Sequence, residues 1–335
     1  MESTGKQRKH RFLKAESAVL VCLACFWAFK SGVIDIDGVM AGVLRQVVKI
    51  DPDNINAHRL LADYYYYSDR YEEAIRAYKE TVRIDPNDLD AQFNLAYSCG
   101  SLGRFEEAAQ AYREAIRIAP NDAGIWNHLG SACASGGRYE EAVDAYKQVE
   151  SIDPERAWTQ VSLGSVYQAL GRFEEAAQAY REAIRTYKND GSLWTDLGDV
   201  YASGGRYEEA VNAYKQAEAI DPDFAETQAS IASAYQDLGR YEDAIRALKR
   251  LIEIEPDIAG LNVFLGRAYV KAGRPEEAIV AYRHATTMNF DNAEAHRELG
   301  EVYLRTGNMD LALQEYETLK TLDDKLAAEL SELIE

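Results

Sequence analysis

A 34-residue period runs through most of this 335-residue chain and leaves little freedom in what it can fold into. Pro52, Pro86, Pro120, Pro154, Pro222 and Pro256 stand at multiples of that interval, and Lys188 and Phe290 fill the two steps without proline. Counting back from these marks gives eight copies, free of insertions, from Ile55 to Leu326. Position twenty is alanine in every copy, from Ala74 to Ala312, and position eight holds only alanine or glycine, from Ala62 to Gly300. A fixed period of this length marks a unit that cannot bury its apolar face alone and is completed by its neighbours.

Each copy reads as two helices. Positions four, seven, eight and eleven of the first share one face at helical spacing, as in Trp126, Leu129, Gly130 and Cys133. A glycine at position fifteen closes that helix in seven of the eight copies, Gly103 to Gly307. The second helix opens on acids such as Glu140 and Glu141, which favour the positive end of its dipole. A proline such as Pro154 then stops it. The small residues at positions eight and twenty predict a close approach of the paired helices with no room for more than a methyl group.

The pattern W/L-x-x-L-G-x-x-Y, then A-x-x-x-Y and a closing proline resembles the tetratricopeptide repeat family across residues 55–326. That resemblance implies an all-α, right-handed α-solenoid of helix-turn-helix repeats whose usual work is to hold peptides or helices of other proteins in its concave groove. Residues 103–117 recur at 171–185, and 135–143 recur at 203–211, so a pair of copies has been duplicated as a unit.

The ends differ from the body. Residues 1–14 form a basic tip containing Lys6, Arg8, Lys9, Arg11 and Lys14, although the whole chain carries a net charge of −19. Residues 15–34 hold an apolar run, AVLVCLACFWAF at 18–29, and residues 35–54 resemble a degenerate half repeat. Twelve residues of helix reach about 18 Å, short of a bilayer core of about 30 Å, while extension to Ile34 meets the lower limit. The basic flank favours a single N-terminal membrane helix, and hence a membrane-associated protein, as the expectation. Its alternatives are a helix buried on the solenoid of an otherwise cytoplasmic protein, or a cleaved leader, for which an A-x-A-like site is missing. At the other end, residues 327–335 read as an amphipathic capping helix.

Reaction chemistry is hard to find. Cys22-x-x-Cys25 lies in the apolar run without a second pair, Cys99 and Cys133 replace the core tyrosine of position eleven, and the five histidines are scattered. No phosphate-binding loop or nucleophile elbow occurs. Fifteen of sixteen residues at positions eighteen and nineteen are acidic, which reads as a helix-start device rather than as catalytic carboxylates. No cofactor, metal or catalytic residue is therefore expected, and the negative body argues against nucleic acid as partner.

By resemblance, positions two, five, nine, twelve and thirteen of the first helices line the groove. They supply Arg59, Asp63, Tyr66, Tyr67, Phe93 and Tyr97 from the first two copies, Asn127 and Trp158 from the middle, and Arg267, Lys271, Arg297 and Arg305 from the last two. Tyrosine, tryptophan and arginine are the usual anchors of protein interfaces. The pattern of the family's chaperone-tail clamp fails here, because Asp63 would repel a carboxylate and only Arg59 and Asn94 approximate it. The asparagine ladder of the O-linked glycosyltransferase superhelix fails too. The expectation is a non-enzymatic scaffold or adaptor, tethered at a membrane, that binds partner peptides or helices and aids complex assembly. Its alternative is a soluble co-chaperone or regulatory subunit, and self-association stays open.

Overall fold

The computed structural model describes residues 36–154 and 158–335. All regular structure among them is helical. A leading helix α1 (Ile36–Ile50) is followed by the pairs α2 (Ile55–Tyr67) with α3 (Tyr71–Ile84), α4 (Leu89–Ser101) with α5 (Phe105–Ile118), and α6 (Ala123–Ser135) with α7 (Tyr139–Ile152). Then come α8 (Trp158–Ala169) with α9 (Phe173–Thr186), α10 (Gly191–Ser203) with α11 (Tyr207–Ile220), and α12 (Ala225–Asp237) with α13 (Tyr241–Ile254). The series ends with α14 (Ala259–Lys271) and α15 (Pro275–Met288), α16 (Ala293–Arg305) and α17 (Met309–Leu322), and α18 (Asp324–Ile334). Two compact units divide the chain, one reaching to Thr159 and the other starting at Gln160. Within each, a first helix packs most on its own second helix and next on the second helix before it, which is the α-solenoid arrangement.

Local chemistry sets the helix limits. Asn54, Asp88 and Asp122 cap first helices by accepting backbone N–H bonds from Ala57, Ala91 and Gly124 at 3.0, 3.0 and 2.8 Å. The glycine after each first helix takes a positive φ, 72° at Gly103, so that the Arg104 N–H can reach back to the Cys99 carbonyl at 2.9 Å. The first copy makes the same turn with Asp69 at φ 55°. Position four supplies a ring or amide N–H facing the preceding loop: Trp126 Nε1 donates to the Pro120 carbonyl at 2.8 Å and Gln92 Nε2 to the Pro86 carbonyl at 3.4 Å.

The expected close contact of paired helices takes a specific form. Alanines at position twenty are fully buried, while the glycine at position eight lies under the tyrosine ring of position twenty-four. A Cβ on Gly130 would sit 2.7 Å from the Tyr146 ring, and one on Gly198 would sit 2.3 Å from the Tyr214 ring. In the last copy the place of that ring is taken by Leu330 of α18, whose Cδ2 lies 2.6 Å from a Cβ built on Gly300. Helix α18 starts three residues before the expected boundary, because the Asp323 carboxylate caps it through the Lys325 and Leu326 N–H groups, each at 3.0 Å.

The expectation of a membrane-associated protein is corrected. Among the described residues no helix is long and apolar enough to cross a membrane. The segment 15–34 on which that expectation rested lies outside the described residues, as do the basic tip and Cys22-x-x-Cys25. Its apolar core of twelve residues is also well below the roughly twenty that a span requires.

Candidate functional site

In the unit ending at Thr159, the first-helix faces gather aromatic rings. Tyr66 of α2 is tilted by more than 70° to Tyr67 and to Tyr97 of α4, with ring centroids 5.2 and 5.6 Å apart. Tyr67 is 80% exposed and Tyr97 39%. Phe93 packs edge-on against Tyr112 and His128 at 5.6 and 5.1 Å. A hollow of about 270 Å³ beside these rings is lined by Tyr97, Phe105, Tyr112, His128 and the small Ser131 and Ser135. Arg59 is already engaged, reaching Asp88 at 3.5 Å and Asp90 at 3.2 Å. Asp63 accepts the Tyr78 hydroxyl at 2.7 Å.

Asn127 is the one predicted groove residue that the structure removes from the surface. It is only 8% exposed. Position five lies on the seam between successive first helices, where a short side chain is covered and a long one such as Arg59 escapes. Thr195 and Val263, at the same position, are buried as well, and Thr195 shares a hydroxyl bond of 2.9 Å with Thr227 of the next first helix. Trp158, at the start of α8, is 41% exposed.

In the unit starting at Gln160, Arg267, Lys271, Arg297 and Arg305 come together around a cavity of about 420 Å³, which Tyr241, Tyr282, Glu298 and Glu301 also line. The arginines are largely neutralised within it. Arg267 donates to Glu298 at 2.7 Å and to Glu294 at 2.5 Å, Arg297 pairs with Glu301, and Arg305 stands 3.9 Å from Glu301. Lys271 at the rim makes no ion pair among the described residues.

A contact pattern that helical spacing did not disclose recurs within each unit. The arginine of position sixteen stacks on the tyrosine of position eleven, with Arg70 over Tyr65 at 4.8 Å and Arg206 over Tyr201 at 4.6 Å. At Arg104, Arg138, Arg206 and Arg274 it also joins the acid of position nineteen in its own copy to the acid of position eighteen in the copy before. Arg104 thus bridges Glu107 and Glu72, and Arg206 bridges Glu209 and Glu174. The acids read as helix-start devices are therefore also the counter-charges of an inter-repeat ladder. The recurring Gly-Arg-aromatic string was the available signal. Each pair is exposed and adds little alone.

Two half-buried acids of α10 behave differently. Burial foremost, then the neighbouring Asp199, pushes the Asp196 carboxyl up to about 6. Its folded value thus exceeds the unfolded one near 3.9, so its stabilising contribution is complete below pH of about 4 and is lost as pH rises through about 6. Asp196→Asn is accordingly expected to raise stability at neutral pH and to flatten the decline across that window. Thermal melts of both proteins between pH 4 and 7 check this, and a parallel decline in the variant would contradict it.

Comparison with known proteins fits this geometry. Residues 35–260 match the family model described as the Cilia and flagella-associated protein 70 C-terminal domain, and residues 265–327 match a tetratricopeptide repeat model. The chain is similar to the C-terminal part of a tetratricopeptide repeat-containing protein from Cytophaga hutchinsonii, with a TM-score of 0.62 and 18% identity, covering 72% of this chain and 99% of that one. It is also similar to a tetratricopeptide repeat protein from Parabacteroides merdae, with a TM-score of 0.51 and 17% identity over 73% of this chain and 98% of that one. No curated protein matches it. At such identities the structural likeness speaks for the fold, and the family models speak for descent. With the repeat visible in residues, helices and family models alike, this chain belongs to the tetratricopeptide repeat family.

Proposed function

We propose that the chain is a non-enzymatic scaffold or adaptor that holds peptide or helix segments of partner proteins against its first-helix faces and so aids the assembly of a complex. The observation that carries this reading is the set of large side chains the core does not need. Tyr67 and Tyr97 project from one unit, and Lys271 and Arg305 rim the cavity of the other. Exposed aromatic and cationic groups of this kind are typical interface anchors, and small residues such as Ser131 and Ser135 between them leave width for a polypeptide.

Cross-linking with mass spectrometry in the native cell tests it. The expected result is a defined partner cross-linked near these side chains, with the yield falling about tenfold or more in a chain carrying Tyr97→Ala, Lys271→Ala and Arg305→Ala, in keeping with anchor losses above 1.4 kcal/mol. An undiminished yield from the triple variant would place binding on another surface.

A further inference from the structure

We infer that the corner formed by Tyr66, Tyr67 and Tyr97 is the subsite that takes a lysine or arginine side chain of the partner, an assignment that rests on the scaffold role proposed above. Tyr66 stands at the centre. The rings of Tyr67, Tyr97, Tyr71 and Tyr78 all meet it at 71° to 77°, with centroids between 5.2 and 6.4 Å away. Rings crossed in this way form angled walls, and a cation held between such walls interacts with the negative faces of the aromatic systems.

The carboxylates around the corner point to the same chemistry. The Tyr71 hydroxyl donates to Asp69 Oδ1 at 2.7 Å, and the Tyr78 hydroxyl donates to Asp63 Oδ1 at 2.7 Å. These bonds hold the two carboxylates on Tyr71 and Tyr78, the rings packed edge-on against Tyr66, so negative charge stands close behind the corner. Neither Asp63 nor Asp69 is ion-paired among the described residues. The two arginines of the same segment are committed elsewhere: Arg59 to Asp88 and Asp90, and Arg70 to Glu73 and the face of Tyr65. Elsewhere this fold covers tyrosine faces with its own arginines, as Arg172 covers Tyr167 at 4.7 Å. Among the described residues no cation covers Tyr66, Tyr67 or Tyr97.

Asp69 adds a separate observation. Seven copies close their first helix with glycine at a positive φ, and the first copy holds an aspartate there at φ 55°, the one non-glycine residue in that region among those described. Glycine would make the turn without strain. Aspartate tolerates this region less well than glycine, and here it brings a negative charge to the aromatic corner. A chain of net charge −19 also attracts a basic partner at long range. An acidic partner would meet Asp63 and Asp69 unpaired, and a purely apolar one would bury them without a counter-charge.

The test uses the full chain with ¹³C-labelled tyrosines at about 0.15 M salt, where distant charges are screened. The probes are end-capped tetralysine, tetra-arginine, tetra-alanine and tetraglutamate. The cationic peptides are expected to move the Tyr66, Tyr67 and Tyr97 resonances, and the other two are not. Asp69→Asn keeps a side-chain oxygen for Tyr71 and a residue tolerant of positive φ, removing only the charge. It should weaken tetralysine binding several-fold while leaving the unfolding midpoint in place. Asp69→Gly should weaken binding likewise, in a backbone relieved of strain. Unmoved resonances with the cationic peptides, or unchanged affinity in both Asp69 variants, would overturn the assignment. Equal shifts from tetra-alanine would also overturn it, yet would leave the scaffold reading intact, because the groove would then hold polypeptide without regard to charge.

Discussion

Tyr214→Ala is expected to destabilise the unit that contains it by about 3–5 kcal/mol, the range for removing a large buried aromatic side chain. The ring is fully enclosed, lies directly over Gly198, and its hydroxyl donates to Asp199 at 2.6 Å. Alanine leaves a void against a helix that cannot close it, and strips a half-buried carboxylate of its donor. The reciprocal change separates packing from helix propensity. In a free helix, glycine to alanine gains about 1 kcal/mol. At Gly198 the added Cβ would meet the Tyr214 ring at 2.3 Å, so a net loss of about 1–3 kcal/mol is expected instead. The lower end is favoured because Ala62 and Ala96 occupy the same place under Tyr78 and Tyr112, which means that the contact can be re-spaced. Urea titrations followed by circular dichroism decide the matter. A stabilised Gly198→Ala protein would show that propensity outweighs the ring contact.

The second large effect concerns the end of the array. Leu330→Asp is expected to detach α18 and unfold the last helix pair. Leu330 is completely buried, rests on Gly300, and forms a small core with Leu319 and Ala327 that Leu304, Tyr316, Leu326 and Ile334 flank. Truncation to alanine at such a site costs about 2–5 kcal/mol, and an unpaired buried carboxylate costs more. A terminal repeat has only one neighbour, so it has no second interface to absorb that loss. Hydrogen exchange should show amides of α16 and α17 losing protection in the variant, with those of α10 to α13 little changed. Retained protection in α16 and α17 would mean that α18 is dispensable as a cap.

The two cases show how far the residues alone could be read. Alanine at position twenty, small residues at position eight and glycine at position fifteen disclose a helical hairpin repeated in register, because each is a local demand: no Cβ beyond a methyl, or a positive φ. The amphipathic spacing within residues 327–335 likewise leads to a terminal helix as an expectation. What presses on Gly198, however, is a ring sixteen positions onward, and what presses on Gly300 is Leu330, thirty positions away. Neither distance is visible in a helical period.

The candidate site was legible to a similar degree. The faces bearing Tyr66, Tyr67, Tyr97, Arg267 and Lys271 follow from 3.6-residue spacing, and four cations from the last two copies do meet around one cavity. Spacing does place Glu301 one turn from Arg297 on the same helix, but it did not reveal that Arg267 is already neutralised by Glu298, because that pair joins separate helices. It also misplaced Asn127, since a position on a helix face does not say whether the next helix covers it.

The order of the helices, their limits and the apolar stripe they share were therefore set by the sequence, because hydrogen bonding and sterics within a few residues suffice to fix them. Which ring fills which glycine gap, which acid quenches which arginine, and which tyrosines stay uncovered were decided only when separate helices came together, because those outcomes depend on side-chain atoms that approach within a few ångströms only in the packed fold.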